Sequence, residues 1–157
     1  MVEEEEEVIA MVVSQVNMVT NNKEWVVDSG ATRHICASEK SFSTYTPIED
    51  GEEVVYLGDS RTTNVLGKVK VRLKLTSGKI LALSEVLHVP NIRANLVSMA
   101  LLGKFGIKVS FESDKIVMTK NNIFVGKGYC NQGLFVLIVS ETTNASSSAY
   151  LLDSVNL

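Results

Sequence analysis

Trp25-Val26-Val27-Asp28-Ser29-Gly30-Ala31 places a carboxylate directly after a short apolar run. The run reads as a buried strand, and a carboxylate at its end is costly unless something uses it. Gly30 lets the backbone turn sharply and come close to another chain or ligand. Ser29 offers a hydroxyl that can hold a neighbouring backbone group. Peptide hydrolysis by paired carboxylates needs two such side chains close enough to share one proton, because both cannot ionise at that distance. One then acts as base on a water while the other is acid toward the carbonyl oxygen. The sequence holds one Asp-Ser-Gly, so one chain supplies half of such a site. The simplest source of the other half is Asp28 of a second copy across a two-fold axis. Asp-Ser-Gly is also an ordinary strand-ending turn, and the tripeptide alone leaves both readings open.

A hairpin with glycine at its tip would have to cover a substrate at this site. Tyr56-Leu57-Gly58-Asp59-Ser60 has that composition, which makes Gly58 and Asp59 candidate flap residues. His34 follows the turn closely and is a candidate for hydrogen-bonded support of that loop, against the alternative of a histidine that merely satisfies backbone in a tight turn. His34, Cys36, His88 and Cys130 do not have the paired spacing of a structural zinc site, so no metal is expected. Both cysteines read as small apolar fillers. Lys68, Lys70, Arg72 and Lys74 line one face of a strand. A basic stripe can bind nucleic acid. Without interleaved aromatics it reads instead as a solvated face that also guards against edge pairing.

The elements that must position these groups are strands. Turn signals recur every eight to twelve residues, the spacing of an all-β domain. Residues 68–75 alternate strictly between basic and apolar, as in a strand with one wet and one buried face. Thr76-Ser77-Gly78-Lys79 turns the chain, Ile80-Leu81-Ala82-Leu83 returns it, and Val86-Leu87-His88-Val89 runs to Pro90. Ile107, Val109 and Phe111 alternate, as do Leu134, Val136 and Ile138. One helix is expected within residues 95–104, capped by Asn95, with Leu96, Met99 and Leu102 at helical spacing.

Composition bounds the rest. The chain has 157 residues, 45% apolar, enough for one domain with a core. The net charge of −3 advertises no basic field for nucleic acid. Two cysteines make no disulfide framework and fit a reducing, cytoplasmic setting. No apolar stretch approaches the ~20 residues of a membrane span. Glu3 to Glu7 form an acidic run, so residues 1–23 read as a flexible acidic segment. Residues 24–139 read as the folded body. Residues 140–157 begin as a Ser/Thr-rich linker.

Residues 25–36, Trp-Val-Val-Asp-Ser-Gly-Ala-Thr-Arg-His-Ile-Cys, closely resemble the protease region of plant copia-type LTR retrotransposon polyproteins. So do Val54-Val55-Tyr56-Leu57-Gly58-Asp59-Ser60, Val86-Leu87-His88-Val89-Pro90-Asn91-Ile92 and Asn95-Leu96-Val97-Ser98. Gly133-Leu134-Phe135-Val136-Leu137 is similar to the family's closing strand. The resemblance implies a retropepsin-like closed β-barrel with one short C-terminal helix. It implies an aspartic endopeptidase that works as a homodimer on the element's own Gag-Pol polyprotein, without a cofactor, in the cytoplasm or in a retrotransposon particle. Asp28 matches the catalytic aspartate, Ser29 and Gly30 the bracing turn, and Gly58 and Asp59 the flap. In the family a His/Cys zinc element and an integrase core follow, so residues 140–157 are expected to be a truncated start of the pre-integrase region. A second reading is a catalytically silent β-barrel remnant that only folds or self-associates.

Overall fold

In the computed structural model the described residues are 24–37, 42–56, 62–92 and 94–143. The chain runs through β1 (Trp25–Asp28), β2 (Ile35–Cys36), β3 (Phe42–Pro47), β4 (Val54–Tyr56) and β5 (Thr62–Asn64). Two long strands follow, β6 (Gly67–Leu75) and β7 (Ile80–His88), then β8 (Asn95–Ser98) and helix α1 (Met99–Lys104). The last strands are β9 (Ile107–Glu112), β10 (Lys115–Lys120), β11 (Ile123–Asn131), β12 (Leu134–Leu137) and β13 (Val139–Thr143). The fold is all-β with one short helix among the described residues, as the alternation and turn spacing require. The strand β13 carries the body past the start of the segment whose composition suggests a linker.

The main sheet has the order β13-β6-β7-β2-β8-β1-β12-β11-β10-β9. The two halves of β6 take different partners along one edge. Residues Gly67 to Val71 pair with β3, and Arg72 to Leu75 pair with β13. β1 lies inside the sheet, parallel to β8 on one side and antiparallel to β12 on the other. This is why Trp25-Val26-Val27 is apolar throughout. Trp25 and Val27 face the larger core, with Leu73, Leu75, Ile80, Ile116, Met118 and Leu137. Val26 faces a smaller core on the other side, with Ile35, Leu87, Val89 and Leu96. Burying both faces of β1 fixes the strand from which Asp28 projects.

The structure corrects four readings. The strand order has two ends, β13 and β9, so among the described residues the closed barrel implied by the resemblance is not found. The three-stranded run β11-β10-β9 extends the sheet outward instead, and α1 packs against β9. The helix does not start at Asn95. Asn95, Leu96 and Val97 pair with β1, and Ser98 is the N-cap, with extended backbone and a side chain that accepts from Leu101 N–H. Asn95 is buried, and its Oδ1 accepts a hydrogen bond from Ala37 N–H at 2.8 Å. Arg72 is not on a wet face. It is 7% exposed, in the half of β6 that is flanked by β7 and β13. Cys36 is a buried filler as expected, whereas Cys130 is exposed.

A β-bulge explains why residues 80–89 look like two short strands in the sequence. β7 is continuous, but its register against β6 shifts between Val69 and Val71, and Glu85 takes a φ of 55°.

Candidate functional site

Asp28 is the last residue of β1, and the chain reverses immediately after it. Gly30 N–H donates to Asp28 Oδ1 at 2.7 Å, closing a turn around the carboxylate. Asp28 Oδ2 is buried and has no hydrogen-bond partner among the described residues. Burial raises the Asp28 pKa above the ordinary carboxylate value, and the Gly30 hydrogen bond only partly opposes that. Such an arrangement disfavours the charged form and favours a proton on the carboxylate. Ser29 is exposed beside it, and Gly30 is half-buried.

The turn is held from behind by Ser98 and His34. Asp28 and Ser98 are partners in the parallel register of β1 and β8. Ser98 Oγ donates to the carbonyl of Ala31 at 2.7 Å, just beyond the turn. Ser98 N–H donates to His34 Nδ1 at 2.9 Å. His34 is 1% exposed, and its own carbonyl accepts from Leu87 N–H on β7 at 2.9 Å. Burial lowers the His34 pKa to about 4, so the ring is neutral near pH 7, with Nδ1 as acceptor and the proton on Nε2. His34 thus accepts from the backbone of Ser98, whose side chain in turn holds the carbonyl of Ala31 beyond the Asp28 turn. Ser98 itself escaped sequence reading, because Asn95 is the more obvious cap.

A shallow cavity of about 220 Å³ opens beside the carboxylate. Asp28 and Ser29 form its polar side, and Met99, Phe111, Leu134 and Phe135 its apolar side. Phe111 and Phe135 meet edge to face, with centroids 5.2 Å apart. Phe135 arrives because it pairs with Val27, next to Asp28. The tight turn at Gln132 and Gly133, both with positive φ, brings β12 back alongside β1. Phe111 is 59% exposed, which is unusual for a large apolar side chain at the end of an alternating strand. The alternation of Ile107, Val109 and Phe111 suggests three core positions, yet only Ile107 is buried.

Gly58 and Asp59 lie outside the described residues. The strands that flank them, β4 and β5, pair antiparallel, with Tyr56 opposite Thr62. Arg33, in the loop after the turn, stands 3.8 Å from Glu53 at the foot of this hairpin, and Lys68 stands 3.5 Å from the same carboxylate. Among the described residues no three His, Cys, Asp or Glu side chains are placed to share a metal ion.

Residues 25–107 match the family model described as "Pol polyprotein, beta-barrel domain". Over 112 residues, 71% of this chain, the sequence is 30% identical to the retrovirus-related Pol polyprotein from transposon TNT 1-94 of Nicotiana tabacum, covering 8% of that protein. It is 37% identical over 84 residues, 54% of the chain, to the retrovirus-related Pol polyprotein from transposon RE2 of Arabidopsis thaliana, covering 6% of it. It is 33% identical over 92 residues, 58% of the chain, to that from transposon RE1 of the same plant, again covering 6%. The chain therefore spans less than a tenth of the length of the curated relatives it matches.

Proposed function

Because this chain belongs to the Pol polyprotein beta-barrel domain family, we propose that it is the aspartic endopeptidase segment of a copia-type retrotransposon polyprotein. It acts as a homodimer and cuts the polyprotein that contains it. The observation that carries this reading is the Asp28 carboxylate. It is held by Gly30 at one oxygen, while the other is buried without a partner among the described residues. That is half of a shared-proton pair.

Two copies supply two Asp28 side chains. Each carboxylate already resists ionisation by burial, so a pair of them holds one proton between them over a wide pH range. The ionised member takes a proton from a water, which attacks the peptide carbonyl carbon. The protonated member gives its proton to the carbonyl oxygen. The tetrahedral species collapses when a proton reaches the amide nitrogen and the C–N bond breaks. Ser29 braces the two turns against each other. The cavity walled by Met99, Phe111, Leu134 and Phe135 suits an apolar side chain of the substrate next to the cleaved bond.

The test is cleavage of a polyprotein fragment by purified chain, compared with Asp28→Asn. The expected result is loss of cleavage in the variant and a rate in the wild type that falls faster than linearly on dilution. Equal cleavage with Asn at position 28 would remove Asp28 as the catalyst. A wild-type chain that stays monomeric when concentrated and cuts nothing would favour the silent β-barrel reading.

A further inference from the structure

We propose that Ser98 and neutral His34 are a positioning pair for the Asp28 turn, and that protonation of His34 releases the turn and ends activity at low pH. Its catalytic consequence rests on the protease reading above; its structural part does not. Besides capping Leu101 N–H, Ser98 binds two partners near the turn. Oγ binds the Ala31 carbonyl, and N–H binds His34 Nδ1. Ala31 directly follows Gly30, the residue that closes on the Asp28 carboxylate. Ser98 also stands in register with Asp28 across β1 and β8. Both ends of the turn therefore lie beside the same residue, Asp28 in register with it and Ala31 bonded to its side chain. Ala31, His34 and Ser98 are each no more than 1% exposed, so water cannot easily replace a broken bond.

The ring accepts only while it is neutral. Once protonated, Nδ1 carries a hydrogen that faces the hydrogen of Ser98 N–H, two donors with no acceptor between them. Ser98 then has to move, and it takes with it the bond to Ala31 and the cap on Leu101 N–H. The charged and titratable groups on neighbouring elements have other engagements. Arg33 and Lys68 pair with Glu53. The Asp28 carboxylate takes Gly30 N–H, and His88 on β7 meets the Tyr45 hydroxyl at 3.2 Å. Cys36 is buried two residues further along. Burial is what holds the ring neutral, down to about pH 4. A turn controlled in this way gives the enzyme an acid limit that belongs to His34 and not to the Asp28 pair.

The test combines pH–rate profiles with NMR on the full chain. His34→Asn places an amide oxygen near the position of Nδ1 and does not titrate. It is expected to shift the acid limb of kcat down by about one pH unit or more, leaving the alkaline limb in place. Ser98→Ala is expected to lower kcat about tenfold with KM changed less than about twofold, and Ser98→Thr to restore it. In the wild type, the backbone amides of Ser98 and Leu101 should titrate with the same midpoint as the His34 ring. An acid limb unchanged in His34→Asn, or a Ser98 amide indifferent to His34, would overturn the proposal. If no Asp28-dependent cleavage is found, the protease reading fails alone, and shared NMR midpoints would still support the pair.

Discussion

Asp28 and Ser98 face each other at the ends of the parallel strands β1 and β8, with their Cα atoms in register. The turn that holds the carboxylate the sequence advertises is therefore tied, at Ala31, to a residue seventy positions from Asp28 along the chain. Ser98 serves three structures at once. It ends a strand, caps α1 and holds the loop beyond the Asp28 turn. This convergence braces the turn on its inner side, while Ser29 on its outer side is exposed.

Asp28 is expected to cost the isolated chain stability. Its folded pKa is raised, so in the folded state it holds a proton at pH values where the unfolded chain has already lost it. Stability from this group falls as pH rises from the ordinary carboxylate value through the raised one, and the loss persists at neutral pH. Asp28→Asn keeps an oxygen for Gly30 N–H and removes the charge. Thermal denaturation of dilute chain at pH 7 should give a higher Tm for the variant. A lower Tm would show that ionised Asp28 is stabilised by contacts other than those described.

His34 has the opposite sign. Its folded pKa of about 4 lies below the 6.5 of an unperturbed histidine, so the unfolded chain binds the extra proton first as pH falls. The stability that comes from a neutral ring is complete above about pH 6.5 and is lost progressively toward pH 4, a total of about 3 kcal/mol. Urea titrations across this range should show that loss in the wild type, and His34→Asn should flatten the profile. A wild-type profile already as flat as that of the variant would contradict the burial account.

Much of this was legible in the sequence. Trp25-Val26-Val27 forms the buried strand its apolar character requires, Asp28 ends it, and the alternation in β6 gives the right faces for most side chains, whereas β12 is covered on both faces and does not alternate. What was not legible depends on partners distant in the chain. Arg72 fits the wet parity of β6, but the edge of that strand changes partner from β3 to β13 just there, and the side chain is enclosed. Asn95 has the composition of a cap, but it was needed in the sheet, where its side chain holds Ala37. Phe111 alternates as a core residue should, but β9 ends at the cavity beside Asp28.

Arg72 is a place where the fold can be improved. Its Nε and Nη1 atoms are buried without hydrogen-bond partners among the described residues. Arg72→Met keeps an unbranched chain of similar reach and removes the desolvated charge, so it should stabilise the chain by about 1 kcal/mol or more. Arg72→Ala should destabilise it through lost packing. Chemical denaturation of the two variants separates these effects, and destabilisation by both would mean that the guanidinium has a partner.

Gly128 should tolerate no side chain. A Cβ there would lie 2.5 Å from the Val136 carbonyl oxygen and 2.9 Å from the Ile116 side chain. The backbone contact cannot be relieved by a rotamer change. Gly128→Ala is expected to cost about 1–3 kcal/mol and to loosen the pairing of β11 with β12. Hydrogen exchange at Tyr129 and Val136, which pair across β11 and β12, would report that loosening, and an unchanged pattern would count against it.

The central claim is that Asp28 works only opposite a second Asp28. The most direct measurement mixes a fixed amount of wild-type chain with increasing Asp28→Asn chain and follows cleavage of a polyprotein fragment. If the site is shared, mixed dimers carry one carboxylate and are inactive. Activity per wild-type chain then falls toward zero as the variant is added in excess. If each chain acts alone, activity stays constant however much variant is present, and the shared site is ruled out.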